Sequence, residues 1–433
     1  MIFNKKRGTV LSKKNSSYSL KKVDLDTFND FSLTFKAPKY MWDANFIQSK
    51  AMAKTSMSRG YNVHPLVLYS EEIPIAGGLF CVMPAMKFFR VARCFHGPLV
   101  DISNYELLKS FTEALVEYFK REKVISIQIQ PDSLIVDECI SNLKTCGYKH
   151  EGFYQGYRHG YGRYYFLKDF SDINSEEDLW KSYESKTRNL VKKAMKLGVQ
   201  CEEIDKKDMD LFYNILESTA ERRGFEFQSE DYFQYMIEYF KEQPGSKLMN
   251  MPLQDAMVVM AYIEPEKSIK MLESQRESLV EKEYELDKNI ALGKNIKKNR
   301  NQLNSLKFEI DACEKNIATI HDISHLGKRI YISGATFVTF NNEMVYLFSG
   351  SDAQFFGLSG SQLIQHYAQS KGLKQGIRKY NYFITEGKHS GAKDDGILNF
   401  KKGFGGYLVE LPGEFHINVN KFLGKVLEMR NGF

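Results

Sequence analysis

Apolar residues at Leu303, Leu306, Ile310, Cys313, Ile317 and Ile320 recur at alternating spacings of three and four, the seam of one helix lying along another. A weaker copy precedes it at Ile269, Leu272, Leu279, Leu286 and Ile290, interrupted by Arg276 and Glu283. Between the two lies Leu292–Asn301, where Gly293 and the asparagines are turn residues. The pattern predicts an antiparallel coiled-coil arm over residues 265–327. Its tip is basic, with Lys288, Lys294, Lys297, Lys298 and Arg300. Such a charge run serves equally as a solvated tip or as a contact for a polyanion.

Strand patterns flank the arm. Ala256–Tyr262 and Arg329–Phe340 read as buried strands, and an Asn341-Asn342 turn leads into Met344–Phe348. The arm therefore interrupts a sheet. With it set aside, the chain repeats itself. Leu66–Tyr69, a Glu71-Glu72 turn and Ile73–Phe80 match the strands around the arm, and each set runs on to a glycine, Gly97 or Gly350. Each then enters a helix (Tyr105–Arg121, Ser361–Lys371) and a further strand (Ile125–Ile129, Lys379–Phe383). Two tandem α/β (α+β) domains of one type follow, at 1–168 and 169–433. A basic amphipathic helix, Trp180–Lys196, joins them and ends at Gly198.

Composition narrows the class. The 433 residues are 43% hydrophobic and 26% charged, a globular balance that needs no disulfide or metal to fold. None of the six cysteines forms a C-x-x-C pair, so reduced thiols are expected. Nine scattered histidines argue against a metalloenzyme, and no metal or cofactor is expected. Met1–Ser17 lacks an apolar core, so no secretory signal is expected there. Ile73–Met86 is too short and too broken by proline and glycine to span a bilayer. The net charge of +6 is compatible with an anionic partner.

Several stretches resemble the FemABX family of peptidoglycan bridge-forming aminoacyltransferases. They are Thr187–Val199 (T-R-x-x-x-K-K-A-x-x-x-G-V), Thr219–Phe225 followed by Tyr232-Phe233, Ser333–Phe337, Tyr346–Gly350, Asn399–Phe404 and Val409–Phe415. Pro84–Lys87 and His96–Asp101 add to the pattern in the first half. The resemblance runs from about Phe46 to Val419, and the arm points to the branch that acts on lipid II. It implies two GCN5-related acyltransferase-like domains, an aminoacyl-tRNA donor contacted by the arm, and a lipid II acceptor. It also implies a cytoplasmic site of action, peripheral at the inner membrane face, with Met86–Arg93 as a possible contact or a buried strand pair.

The resemblance also assigns roles. Lys401 would stabilise the oxyanion or the leaving ribose oxygen, and Phe400 would position the donor; otherwise Lys401 and Lys402 are an exposed pair after a strand. Arg222 would pair with an acceptor phosphate, or salt-bridge to Glu221 or Glu226. Tyr232, Tyr346 and Phe348 would line the substrate, with helix packing as the other reading of Tyr232. Asp394 and Asp395 are candidate amine bases or loop residues. Departures fall at Gln228, Phe348, Ser56 and Met52, where soluble-substrate members carry arginine, tyrosine, lysine and tryptophan. These favour lipid II over a soluble acceptor. The transferred residue stays open among serine, alanine and glycine.

Two rival readings remain. An acyl-CoA N-acyltransferase requires a glycine-rich pyrophosphate loop, for which Gln369–Lys374 is the nearest match and has the wrong last residue. A non-catalytic RNA-binding scaffold built on the arm would lack any RNP or KH motif.

Overall fold

A computed structural model describes residues 18–86, 88–153, 162–242, 254–385 and 396–431. The chain divides into two compact units, 1–153 with 411–433, and 154–410.

In chain order the strands are β1 (Tyr18–Lys22), β2 (Asn62–Ser70), β3 (Ile73–Met86), β4 (Phe89–Cys94), β5 (Val124–Ile129), β6 (Lys149–His150), β7 (Tyr164–Asp169), β8 (Gln200–Ile204), β9 (Gln254–Ile263), β10 (Ile330–Phe340), β11 (Glu343–Ser351), β12 (Lys379–Thr385), β13 (Tyr407–Glu410) and β14 (Phe415–Asn418). Among the described residues they form two seven-stranded sheets, β1-β2-β3-β4-β5-β14-β6 and β8-β9-β10-β11-β12-β7-β13. The two orders correspond strand for strand. In each, three successive antiparallel strands lead to a helix and then to a parallel neighbour, β4 with β5 and β11 with β12; in the second sheet the arm stands between the first two, β9 and β10. The Glu71-Glu72 and Asn341 turns both take positive φ, as two-residue hairpin turns require.

The last strands are exchanged. β7 follows β6 along the chain but pairs with β12 and β13 in the second sheet. β14 follows β13 but pairs with β5 and β6 in the first. The boundary expected at 168, with 169–433 as one domain, is therefore corrected. Tyr164–Asp169 belongs to the second sheet, and residues 411–433 return to the first unit. Gly413 takes φ 90°, and a Cβ there would lie 2.7 Å from His150 Nε2. Phe415, fully buried, then enters the first core among Phe111, Leu115, Ile127 and Ile129.

The arm forms as expected, with helices Pro265–Ala291 and Ile296–Ile323. Leu272, Leu279, Leu306, Cys313 and Ile320 are buried along the seam. Proline at the first helical turn suits the start, since its missing N–H has no partner there in any case. Glu283, which breaks the apolar seam, stands 3.9 Å from Lys307 across it. At the base Arg329 joins Glu202 (3.0 Å) and Glu264 (3.3 Å) and stacks on Tyr262, fixing the arm to the sheet.

The helix expected over Trp180–Lys196 is broken. Its parts are Glu176–Lys181 and Ser185–Lys196. Tyr183 turns into the core between them, 2% exposed, and Arg188 Nη1 donates to the Tyr183 carbonyl.

Candidate active site

β11 and β12 pair only from Glu343↔Lys379 to Val345↔Asn381, although they run on to Ser351 and Thr385. Both strands bend where the ladder stops. β12 bulges against β7 between Asn381 and Ile384, with Phe383 at φ 58° and its N–H held by Asn381 Oδ1 (2.7 Å). β10 bulges against β11 between Ala335 and Phe337, and Thr336 Oγ1 accepts from Phe348 N (3.1 Å). A wedge is left between the strand ends.

Aromatic rings line the wedge. Tyr346 and Tyr382 face each other edge to face at 6.3 Å, and Tyr380 packs against Tyr382 at 4.8 Å. Tyr380 donates to Gln365 Oε1 (2.7 Å), and Gln369 Nε2 donates to the Tyr382 hydroxyl (2.9 Å). Burial pushes all three tyrosine phenols up, so they stay neutral donors and acceptors.

On the β12 side stands Lys401, in the short helix Gly396–Lys402. It is 4% exposed, so the reading of Lys401 and Lys402 as an exposed pair after a strand is corrected for Lys401. Its Nζ donates to the Tyr382 carbonyl (2.9 Å) and the Ile384 carbonyl (2.7 Å), which flank the Phe383 bulge. Burial lowers its pKa to about 7, so neutral amine and ammonium coexist near neutrality. Two of its N–H groups are committed to the carbonyls; the remaining tetrahedral position carries a proton or a lone pair. Phe400 packs edge to face on Phe404 at 5.4 Å. Asp394 and Asp395 lie outside the described residues.

On the β11 side the structure brings together Arg222, Tyr232 and Phe348. Tyr232 and Phe233 meet the Phe348 ring edge to face at 6.0 and 5.2 Å. Thr219 Oγ1 accepts from Ser351 N (2.9 Å), and Arg222 Nη2 donates to the Ser351 carbonyl (3.1 Å). The exposed Arg222 guanidinium also lies 4.9 Å over Phe356. The helix Met209–Arg223 thus ties down the end of β11.

The Gly403–Gly406 loop after Lys401 is packed closely by Thr187 of the first motif, by the segment before it and by β7. A Cβ on Gly403 would lie 2.2 Å from Thr187 Oγ1, one on Gly405 2.7 Å from the Ser182 carbonyl, and one on Gly406 2.4 Å from the Leu167 carbonyl. Glu184 N donates to the Gly403 carbonyl (2.8 Å). Lys168, absent from the sequence-based candidates, also reaches this loop: its Nζ donates to the Phe404 carbonyl (2.6 Å). The available signal was one lysine inside the aromatic run Tyr164–Phe170.

The tip residues Lys288, Lys294, Lys297, Lys298 and Arg300 are exposed and far along the arm from its anchored base. With Lys307, they are the charges of residues 288–308, which contain no Asp or Glu; Asp287 is the first acid on one helix and Glu309 on the other. His321 and His325 stand four apart at the foot of the arm, both exposed. Among the described residues no cluster of His, Cys, Asp and Glu could hold a metal, and no helix is long and apolar enough to cross a membrane.

The FemAB family model matches residues 28–431. Aminoacyltransferase FemA of Staphylococcus aureus (strain MRSA252) is 26% identical over 396 residues, covering 87% of this chain and 91% of that protein. FemA of the bovine strain RF122 / ET3-1 is 25% identical over the same shares. A crystal structure of FemX superposes with a TM-score of 0.76 at 21% identity, covering 95% of this chain and 100% of that one, and shares the fold. The chain belongs to the FemAB family and is an aminoacyltransferase.

Proposed function

We propose that the wedge between β11 and β12 transfers serine, alanine or glycine from aminoacyl-tRNA to the stem-peptide amine of lipid II, building the peptidoglycan interpeptide bridge. The observation that carries this reading is the buried Lys401 amine, held at the β12 edge of the wedge by two carbonyls. In the reaction the neutral acceptor amine attacks the ester carbonyl. A tetrahedral oxyanion forms, the bond to the ribose oxygen breaks, and the amine's proton ends on that oxygen. Lys401 as ammonium offers its third N–H to the developing anion. Because its pKa is about 7, it can also pass that proton to the leaving oxygen and regain one from the amine. Phe400, beside Lys401 on the same helix, positions the ester; Tyr346, Phe348 and Tyr232 line the β11 edge. Arg222, exposed at that edge, is suited to a phosphate of the acceptor.

The charge segregation of the arm supports a tRNA contact at the tip through Lys288, Lys294, Lys297, Lys298 and Arg300. A lipid-linked acceptor places the work at the inner face of the cytoplasmic membrane, by peripheral contact. The test is transfer from a pool of radiolabelled aminoacyl-tRNAs to purified lipid II. Label in lipid II identifies both reaction and donor. No transfer, even to lipid II already bearing one bridge residue, overturns lipid II as the acceptor.

A further inference from the structure

Lys168 lies on β7, whose residues Tyr164–Lys168 are all buried, and is itself 3% exposed. Burying an amine carries a desolvation cost that only well-placed acceptors offset. Two are present, the Ser182 hydroxyl (2.6 Å) and the Phe404 carbonyl (2.6 Å). Ser182 Oγ in turn donates to the Leu179 carbonyl (2.6 Å), which anchors it to the helix Glu176–Lys181. Phe404 N donates to the Lys401 carbonyl (3.1 Å). One residue therefore links the two buried lysines: Lys168 holds its carbonyl, and its N–H holds Lys401.

The helix that carries Lys401 has seven residues. A helix this short has little stability of its own and takes its position from what it is tied to. The loop beyond it contains Gly405 and Gly406, both at positive φ, so its backbone is intrinsically permissive. Lys168 is the side chain that closes this loop against β7. We propose that Lys168 is a positioning residue for the transfer reaction, fixing the loop after Lys401 and so the direction in which the Lys401 amine meets the ester. This rests on the role given to Lys401 above.

The titratable groups facing Lys168 are few. The Tyr183 ring lies 4.6 Å from its Nζ, and His366, lowered mainly by burial, also feels its charge. Burial lowers Lys168 to about 7, as it does Lys401. Loosening the loop admits water around Lys401 and moves its titration back toward the ordinary lysine range.

The test compares wild type with Lys168→Met, which keeps an unbranched apolar stem one atom shorter and removes its donor, and with Ser182→Ala, which removes one acceptor. In Lys168→Met, kcat is expected to fall by about 10²-fold, the effect of an error of about 1 Å in a reacting group, with both KM values changed by less than about twofold. The pH–rate limb belonging to Lys401 shifts to higher pH. Ser182→Ala moves both in the same direction by less. A merely structural role lowers the amount of active enzyme and leaves the limb in place. The Lys401 titration is also followed by lysine Cε NMR on the enzyme without substrates. That arm decides the proposal even if wild type transfers nothing to lipid II, an outcome that removes the proposed acceptor alone. If Lys168→Met does not fold, Ser182→Ala carries the test. A Lys401 titration unchanged in the folded variants, with kcat scaling only with active enzyme, overturns the proposal.

Discussion

In the first unit β4 and β5 pair from Arg90↔Val124 to Cys94↔Ile129, and the ladder continues through Gln130 N to the Cys94 carbonyl (3.1 Å) and Gly97 N to the Gln130 carbonyl (2.8 Å). In the second unit the corresponding pair, β11 and β12, stops after three residue pairs. The difference lies in what satisfies the chain at the ends of β4 and β11. In the first unit Gln48 donates to the Phe95 carbonyl (2.6 Å) and accepts from Leu79 N (2.8 Å), keeping the strand end on the sheet. In the second, Thr219 and Arg222 bind Ser351 from the flanking helix, and β12 bulges away at Phe383. One strand order thus yields a closed ladder in one unit and a split one in the other. The backbone groups freed in the wedge are those that Lys401 uses.

The largest effect should separate the two ladders by rate. Lys401→Met is expected to lower transfer by about 10²–10³. Gln130→Met, at the end of the closed ladder, should leave transfer per folded molecule within about twofold, the usual small effect away from a reacting centre. A loss of the Gln130→Met size at Lys401 would break the comparison.

The glycines at the ends of these two segments, Gly97 just after β4 and Gly350 near the end of β11, sharpen it next. A Cβ on Gly350 meets the Ile215 carbonyl at 2.6 Å, a backbone obstacle, whereas one on Gly97 meets the Cys94 Sγ at 2.8 Å and the end of the Gln48 side chain. Gly350→Ala should cost about 3 kcal/mol and Gly97→Ala about 1 kcal/mol of stability, read from urea midpoints.

The units should also respond to opposite ends of the pH scale. Burial lowers His64 in the first unit to about 4. Its contribution is present above its unfolded pKa, near 6.5, and fades as pH falls toward 4. Lys168 and Lys401 in the second unit lie at about 7, below their unfolded value. Between about 7 and 10 the unfolded chain binds more protons, so stability rises with pH across that window. Hydrogen exchange resolved by segment should show first-unit amides weakening in acid and second-unit amides strengthening in base. Lys168→Met should flatten the second slope. The smallest effect belongs to the arm tip: Lys297→Glu with Lys298→Glu should change stability by less than about 0.5 kcal/mol while weakening tRNA binding and its salt dependence.

What was legible in the chain depended on how much sequence carried each signal. The arm could be read because its three-four seam repeats from Leu303 to Ile320. The paired hairpins could be read because each turn left two polar residues between apolar runs. The strand exchange could not, since the four residues of β14 say nothing about which sheet they enter. The break at Tyr183 was hidden because amphipathic spacing continues through it, and only the Gly403 carbonyl, brought there by the fold, receives Glu184 N. At the site, the motif marked Lys401 and Phe400. The burial of Lys401 was not visible, because the carbonyls that receive its amine are freed by a bulge formed against β7. Lys168 was missed because its acceptors, the Ser182 hydroxyl and the Phe404 carbonyl, reach it from segments that only the fold brings together.

The exchanged strands also bear on how the molecule is made. Of the described strands β14 leaves the ribosome last, yet it lies between β5 and β6, which emerge much earlier. Until then the nascent first unit has an open sheet edge and an exposed Phe415 pocket, the kind of surface that invites mispairing and chaperones. The unit translated first is therefore the one completed last, and a ribosome stalled within the second unit would leave both without a finished sheet.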